Sequence, residues 1–469
     1  MVFLMIQWGA HMKLTFYGGT GSVTGANFLV EHTDASGKNL KILIDCGMMQ
    51  GSETAEAFNR DPFPYKPEEI DYLIITHAHI DHIGRIPKIV KDGFRGKIVS
   101  TPPTKDIAGL LLEDTLSILE SESRRRGILP LFEKQDLEKA MTLWNITIPY
   151  HERYELGAGI SIYLRDSGHI LGASMVEVND GKTKAVFTGD LGNSPSLLLN
   201  DTEVITDANY IVMESVYGDR NHESKDERRK QLKDMIADTI ANKKLLIIPS
   251  FSVERTQMML YEMNEFFASG GLKPIPVFLD SPLAIKVTHI YEKYKDYLNE
   301  KVRSEMQNGE DVFKFPKLKF TPLVWESEKI DRTPNPKIIM AGSGMSNGGR
   351  IVHHEKDHAG DKNATILLVG YQATGTLGRQ LEDGAKTVNI HGEVIKVKAK
   401  VAKIEGYSSH KDSDHLVAFV EDAAKGGTLK KVFTVMGEPK ASLFLVQRLR
   451  DELDVKAEYP EYGESVELN

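Results

Sequence analysis

The segment ITHAHIDHIGRIP, residues 75–87, concentrates the histidines of the chain at one point. It contains three histidines and one aspartate, which are His77, His79, Asp81 and His82. The preceding residues DYLIIT are typical of a buried strand, and HIGRIPKIVKDG has helical spacing and closes on glycine. A loop that leaves a strand end can direct His77 and His79 to one place and Asp81 and His82 to a second. Because imidazole and carboxylate bind zinc and similar ions, the cluster predicts a metal site.

The alternative interpretation is a polar connection in which Asp81 caps the following helix. Two other segments favour the metal site. RDSGHILGAS places His169 in a glycine-flanked turn, and AVFTGDLG places Asp190 at the end of an apolar strand, where a carboxylate needs a partner. Taken singly, His169 could be an ordinary turn histidine and Asp190 a loop cap. ILIDCG adds Asp45, which we expect to orient a ligand histidine.

The composition limits the class of protein. The chain has 469 residues, of which 41% are hydrophobic and 27% charged, and its net charge is −9. This charge argues against a generally basic nucleic-acid-coating protein but leaves room for a local basic groove. The single cysteine, Cys46, excludes a disulfide framework and a cysteine-rich zinc site within one chain.

The start of the chain indicates a cytoplasmic protein without a membrane partner. Its apolar run, MVFLMIQWGA, is too short for a membrane span and has no basic leader or cleavage site. GAHM, residues 9–12, resembles a cloning remnant, so we discount residues 1–11 and interpret Met12 as the natural start.

The order of apolar patterns predicts two domains, one inserted into the other. Residues 12–212 are mostly short strands with a helical insertion at 104–145. Residues 213–395 alternate strands with helices, which implies a parallel sheet covered by helices. Residues 396–469 return to the first pattern and are expected to complete the first domain.

Taken together, HxHxDH, SGHxxG, TGD and the early DxG are similar to the metallo-β-lactamase superfamily. The resemblance implies an αββα sandwich with a dinuclear metal site, most simply two zinc ions, at one edge. It implies that His77, His79 and His169 hold one metal. It assigns Asp81 and His82 to the other, with Asp190 bridging the two.

The insertion narrows the resemblance to the β-CASP branch, which contains the nuclease subunit of the pre-mRNA cleavage and polyadenylation machinery and its prokaryotic relatives. The matching segments are MESVYGDR, IPSFSVERTQ, AGSGMSNGGRIVHH, GYQATGTLGRQL and EGYSSH. The resemblance implies an inserted α/β β-CASP domain and a nuclease for single-stranded RNA, acting as an endonuclease, a 5′-exonuclease or both. It also implies a cleft between the domains as the active site, and a homodimer is a common assembly in this branch.

The same resemblance assigns catalytic roles to Asp81, His410 and Glu214. Two nearby cations can lower the pKa of water and neutralise charge on phosphoryl oxygens. Asp81 would steer the attacking water, and His410 would protonate or stabilise the leaving 3′ oxygen. Glu214 matches the acidic motif that opens the inserted domain. It is expected to act indirectly, through residues that contact the metal or the substrate. On ordinary grounds His410 could be an exposed loop histidine and Glu214 a surface acid at a strand end.

Three residues of the inserted domain are candidate substrate contacts. The glycine-rich segment GSGMSNGGR could present backbone N–H groups and Ser343 to a phosphate. Arg350 and Arg379 are candidate phosphate clamps. The alternative for each arginine is an ordinary solvated side chain.

One position departs from the family pattern. The branch usually has a further ligand histidine in a V-H-G-E segment, and this chain has Met436 in FTVMGEPKAS. A thioether is a poor ligand for zinc among oxygen and nitrogen partners. Asp81, His82 and Asp190 would still leave three protein ligands plus water, so the second site would be weaker or would prefer another divalent metal.

Three alternatives to an RNA nuclease therefore stay open. An apolar residue at position 436 resembles the DNA-processing branch and favours a DNA-directed nuclease. A catalytically weakened nucleic-acid-binding subunit is a second alternative, since one ligand is replaced. A hydrolase of small esters would use the same ligands but would not need the inserted domain with its glycine-rich segments.

Overall fold

The computed structural model describes residues 11–51, 53–222, 225–373 and 375–469. The discounted residues 1–11 therefore lie outside the described residues except for His11, which begins a strand. The chain divides into two compact units. The first unit comprises residues up to Asn221 together with His410–Asn469, and the second unit comprises His222–Ser409.

Two seven-stranded mixed sheets build the first unit. In spatial order, the first sheet contains Ser465–Leu468, His11–Phe16, Phe28–Thr33, Asn39–Ile44, Tyr72–Ile74, Lys97–Ser100 and Ile146–Thr147. The second sheet contains Ala457–Glu458, Lys431–Val435, Tyr210–Glu214, Lys184–Phe187, Ser174–Asn179, Ile160–Asp166 and Arg153–Gly157. In each sheet, one half is parallel and the other half antiparallel.

The core of the first unit lies between these two sheets. Alternate residues of the first strand, Met12, Leu14 and Phe16, are fully buried, as the period of two along a strand requires. They join one apolar cluster with residues of the second sheet. The rings of Phe16 and Phe433, one from each sheet, have centroids 5.3 Å apart. This packing of two sheets face to face confirms the predicted sandwich.

Helices flank the sheets of the first unit. They span Glu53–Arg60, Ile80–Ile83, Ile86–Lys91, Pro102–Arg126, Lys134–Leu143, Ser413–Ala424 and Pro439–Leu453. The predicted helical insertion forms the fourth and fifth of these. Thr101 accepts the backbone N–H of Thr104 at the start of the fourth helix, and Gly127 ends it in the left-handed conformation.

A six-stranded parallel sheet forms the second unit. Its spatial order is Leu318–Phe320, Val277–Leu279, Lys337–Ala341, Leu245–Pro249, Ala364–Val369 and Lys400–Ile404. A separate hairpin pairs Thr387–Ile390 with Glu393–Lys396. The helices span Lys225–Ala241, Arg255–Ala268, Pro282–Lys293, Glu300–Gln307, Val324–Ser327, Gly349–His358 and Leu377–Glu382. This is the predicted alternation of strands and helices.

The sequence suggests domain boundaries at 212/213 and 395/396. In the structure the chain enters the second unit at His222 and returns to the first at His410. Strand Tyr210–Glu214 pairs with Lys184–Phe187 and therefore belongs to the first unit. Strand Lys400–Ile404 pairs with Ala364–Val369 and therefore belongs to the second unit.

Across the described residues, helices are either too short or too polar to traverse a lipid bilayer.

Strand direction in the first unit gathers polar residues at one edge. Asp45 follows the strand Asn39–Ile44, and His77 follows the parallel neighbour Tyr72–Ile74. In the second sheet, Asp190 follows Lys184–Phe187, and Glu214 ends the parallel neighbour. Because parallel strands end on the same side, each sheet brings its polar residues to a common edge.

Candidate metal centre and active site

Three imidazoles and one carboxylate converge in the first unit. Ligand atoms of His77, His79, His169 and Asp190 all lie within 4.8 Å of one another. His79 Nδ1 lies 3.1 Å from Nε2 of both His77 and His169. Asp190 Oδ2 lies 3.3 Å from His77 Nε2 and 3.4 Å from His169 Nε2. A group of this chemistry and spacing could hold a divalent cation.

A second group shares the same aspartate. Asp81, His82 and Asp190 also offer ligand atoms within 4.8 Å of one another. His82 Nε2 lies 3.4 Å from Asp190 Oδ1 and 3.8 Å from Asp81 Oδ2. Asp190 thus turns one carboxylate oxygen to each group. The structure brings together all six residues that the sequence suggested as metal ligands.

Two buried atoms lack the partner that their burial demands. His82 Nε2 and Asp190 Oδ1 have no hydrogen-bond partner among the described residues, although both atoms are inaccessible to solvent. An unsatisfied buried polar atom costs about 1–3 kcal/mol. A cation between these two atoms would satisfy both, so the residues present fit a metal ion.

Asp45 holds His82 from the side opposite Asp190. Its Oδ2 atom lies 2.7 Å from His82 Nδ1, and both side chains are buried. Thr76 ties this carboxylate down, because its N–H donates to Oδ1 at 2.8 Å and its hydroxyl donates to Oδ2 at 2.7 Å. A carboxylate behind a ligand histidine fixes its ring and tautomer. The sequence did not indicate Thr76, whose only signal is its place just before His77.

Two glycines allow the loops to approach this closely. A side-chain carbon on Gly47 would lie 1.6 Å from the carbonyl oxygen of Asp81. One on Gly189, which has φ +53°, would lie 2.7 Å from Cβ of Thr76. Gly189 directly precedes Asp190, and Gly47 lies two residues after Asp45, so the close packing of backbone positions these side chains.

The histidines of the centre differ in the direction in which their surroundings shift the pKa. Burial lowers the pKa of His79 and of His169 well below the usual range, which keeps these imidazoles neutral. Burial also opposes a charge on His82, but the carboxylates of Asp190 and Asp45 outweigh it and raise the pKa of His82 well above its usual value. Neutral imidazoles retain the lone pair that a metal requires. The strong negative field at His82 marks a place that favours a cation.

A third group extends the centre. His410 Nδ1 lies 3.0 Å from Glu214 Oε2, and the His410 ring packs against that of His169 with centroids 4.6 Å apart. The backbone of His410 pairs with Gly192, just beyond Asp190. Glu214 is fully buried and accepts the N–H of Leu191. Burial opposes a charge on His410, but Glu214 and then Asp190 outweigh it and raise its pKa to about 10.

Met436 lies in the apolar core rather than on a polar surface. It is 2% exposed and belongs to the cluster between the two sheets. Its backbone has φ 51°, and its N–H donates to the carbonyl of Gly19 at 2.6 Å. The residue follows the strand Lys431–Val435, which is the strand-end position that the sequence suggested.

The three candidate substrate contacts lie in the second unit and already have protein partners. The Ser343 hydroxyl donates to Asn347 Oδ1. Arg379 pairs with Asp383 at 3.0 Å on the surface of its helix. Arg350 pairs with the fully buried Asp280 at 2.7 Å and also donates to two backbone carbonyls. Contact with a phosphate by either arginine would therefore compete with an existing ion pair.

Family models match nearly the whole chain. Residues 25–241 match the metallo-beta-lactamase superfamily, and residues 256–381 match the Beta-Casp domain. Residues 394–460 match the Zn-dependent metallo-hydrolase RNA specificity domain.

Three relatives align with this chain over most of their length. Ribonuclease TTHA0252 of Thermus thermophilus is 33% identical over 411 residues, 87% of this chain and 91% of that protein. Transcription termination factor FttA of Methanosarcina mazei is 30% identical over 466 residues, 96% of this chain and 70% of that protein. The RNase J-like protein of Methanocaldococcus jannaschii is 33% identical over 430 residues, 90% of this chain and 93% of that protein.

A solved structure shares the fold. The crystal structure of a protein of unknown function from Enterococcus faecalis has a TM-score of 0.56 and 14% sequence identity. The alignment covers 98% of this chain and 100% of that one.

Proposed function

Because this chain belongs to the metallo-β-lactamase superfamily and to its β-CASP branch, we propose that it is a metal-dependent ribonuclease for single-stranded RNA. The observation that carries the proposal is Asp190, whose two carboxylate oxygens face two separate groups of ligand atoms. Two relatives are named as a ribonuclease and an RNase J-like protein, and the C-terminal segment matches an RNA specificity domain. RNA is therefore the substrate class that the relatives support.

The proposed cofactors are two zinc ions. His77, His79 and His169 would hold one, Asp81 and His82 the other, and Asp190 would bridge them. Cations bound there would neutralise the negative charge that builds on the phosphoryl oxygens and would make a water molecule easier to deprotonate. Among the described residues the second group offers three protein ligands, and Met436 stands where the family usually has a histidine. Manganese is therefore a reasonable alternative occupant of that site.

The chain's own residues would then position the substrate and move protons. Asp81 is the least buried carboxylate of the two ligand groups, with 19% of its side chain exposed, so it can reach the attacking water. His410 is 24% exposed, and Glu214 holds its Nδ1 atom. The other ring nitrogen of His410 would face the leaving 3′ oxygen and donate a proton to it. Ser343, Arg350 and Arg379 remain proposed phosphate contacts of the second unit.

Cleavage of labelled RNA tests this function directly. A 5′-labelled single-stranded RNA and DNA of the same sequence are incubated with wild type, His79→Ala and His151→Ala in zinc or manganese. His151 is an exposed histidine of the same unit that pairs with Glu203 and belongs to none of the ligand groups, so it serves as the matched control. We expect wild type and His151→Ala to cut the RNA and His79→Ala to be inactive.

The products decide the remaining alternatives. A ladder of internal fragments would indicate an endonuclease, and release of mononucleotides from the labelled end would indicate a 5′-exonuclease. Preferential cutting of DNA would instead favour a DNA-directed nuclease. Failure to cut either strand, with RNA still bound, would favour the binding-subunit alternative and overturn the proposal. Cytoplasmic action and a homodimer stay predictions, which fractionation of cells and light scattering would test.

A further inference from the structure

Five aromatic side chains of the first unit form a continuous group, which we call the aromatic platform. Its members are Tyr17, Phe58, Phe63, Tyr65 and Tyr462. Successive ring centroids lie 5.3–6.4 Å apart, from Phe63 through Tyr65 and Tyr17 to Tyr462 and Phe58. Tyr462 is 53% exposed, and the other four residues are half-buried. Burying aromatic rings is strongly favourable, so a partly exposed group of five points to a ligand.

Cationic side chains accompany these rings. The Arg85 guanidinium is buried between Phe58 and Phe63, 4.8 and 5.0 Å from their centroids. The Lys88 ammonium lies 4.3 Å from the centroid of Phe63. Lys91, one helical turn further on, forms no ion pair within the described part of the chain, and its ammonium lies 3.5 Å from the carbonyl of Leu131. Rings and cations together are the elements that bind bases and phosphates.

A cavity of about 500 Å³ adjoins Phe63. Arg60, Lys88 and Lys91 line it. Lys88 pairs with Asp92, the acidic side chain among the lining residues, at 2.6 Å, and Arg60 lies 3.3 Å from Glu56. Its other walls are apolar and include Leu129, which is 79% exposed. Ligand cavities commonly measure about 300–1,000 Å³. The volume suits one nucleotide of a strand, and Lys91 supplies a cation for its phosphate.

The platform is joined to the metal centre by a short network. The Tyr65 hydroxyl donates to Asn27 Oδ1 at 3.1 Å, and Asn27 Nδ2 donates to the carbonyl of Asp45 at 3.3 Å. Asp45 in turn holds His82. Arg85, three residues after His82, donates to the carbonyl of Gly47 at 2.6 Å. The platform therefore lies at the same edge of the sandwich as the centre.

We propose that the aromatic platform and the adjoining cationic cavity bind the RNA strand outside the cleavage site by stacking its bases. The inference rests on the proposed function, because it supposes an RNA strand that extends past the metal centre. Stacking tolerates every base, so the site would increase affinity without selecting a sequence. The lysines and Arg60 favour a polyanion over an apolar protein partner.

Binding of an uncut RNA tests the inference. All variants carry His79→Ala to prevent cleavage, and the probe is a fluorescein-labelled oligouridylate of about 15 nucleotides, long enough for several stacked bases. Tyr462→Ala and Phe63→Ala each remove one ring, and Tyr462→Phe retains it. Tyr163→Ala is the matched control, since Tyr163 also lies beside an arginine, Arg165, on the second sheet of the same unit. Thermal unfolding of each variant reports whether it folds.

The expected result is a Kd raised roughly five- to tenfold by Tyr462→Ala and by Phe63→Ala. Tyr462→Phe and Tyr163→Ala should bind like the parent. Equal affinity in all folded variants, with wild type still cutting RNA, would overturn this inference and leave the proposed function intact. Equal affinity together with a changed sedimentation coefficient would also overturn it and identify the surface as a contact between copies of the chain. Absence of both binding and cutting in wild type would remove the proposed function itself.

Discussion

The Nδ1 atom of His82 lies 2.7 Å from Oδ2 of Asp45, and each side chain is about 1% exposed. The opposite ring nitrogen, Nε2, faces Asp190 at 3.4 Å and has no hydrogen-bond partner in the described residues. One carboxylate therefore fixes the ring, and the other marks the direction in which the ring can bind a cation. This arrangement makes Asp45 a positioning residue whose effect must pass through His82.

Replacing Asp45 with asparagine should weaken metal binding without removing a ligand. The amide retains the shape of the side chain but loses the charge that favours the correct tautomer of His82. Loss of such a partner typically costs about 10–100-fold in metal affinity or activity. Competition with a chelator measures the affinity, and Asp34→Asn, in an exposed turn of the same unit, is the control. Full metal affinity in Asp45→Asn would contradict this role.

Replacing Asp190 with asparagine should have a larger effect, because both groups of ligand atoms share this carboxylate. We expect the metal content to fall in both sites and RNA cleavage to fall by more than about 100-fold, beyond the effect of an indirect partner. Metal analysis by mass spectrometry after dialysis counts the ions per chain. Glu203→Gln, an acid outside the centre, should retain the wild-type content. Loss of one ion alone would mean that Asp190 does not bridge.

Met436 offers a gain-of-ligand prediction. Its backbone has φ 51°, a conformation that histidine tolerates better than most residues. Met436→His should therefore fold and should raise the occupancy of the second metal site. Zinc bound per chain after dialysis measures this, and Met436→Leu is the control without a ligand atom. If both variants bind equal amounts of zinc, the buried side chain at this position does not reach the centre.

The sequence could group the residues of the candidate centre because their signals are local. His77, Asp190 and Glu214 follow apolar strands, and strand direction then gathers them at one edge. The pairing of strands that are distant in sequence had no such local signal. Strand Lys400–Ile404, for example, joins the parallel sheet of the second unit beside Ala364–Val369, which its own residues do not indicate. The partner of Arg350 was equally hidden, because Asp280 lies far away in sequence and meets it only after folding.

Glu355 provides a pH-dependent test of the second unit. The residue is fully buried under the glycine-rich segment, where the Ser346 hydroxyl donates to Oε1 at 2.6 Å and Oε2 has no hydrogen-bond partner within the described ranges. Burial raises the pKa of Glu355 from 4.5 to about 8. Between these values the unfolded chain releases the proton that the folded chain retains, so this residue lowers the free energy of unfolding as pH rises from 4.5 to about 8.

Glu355→Gln should remove that dependence, because the amide is always neutral. At pH 5 the variant and wild type should unfold at similar denaturant concentrations. At pH 8 the variant should be more stable by a few kcal/mol, since each pKa unit corresponds to about 1.4 kcal/mol. Denaturant unfolding at both pH values measures the difference, and Glu328→Gln, an exposed acid of the same unit, is the control. An equal offset at both pH values would show that Glu355 is already ionised in the folded protein at pH 5.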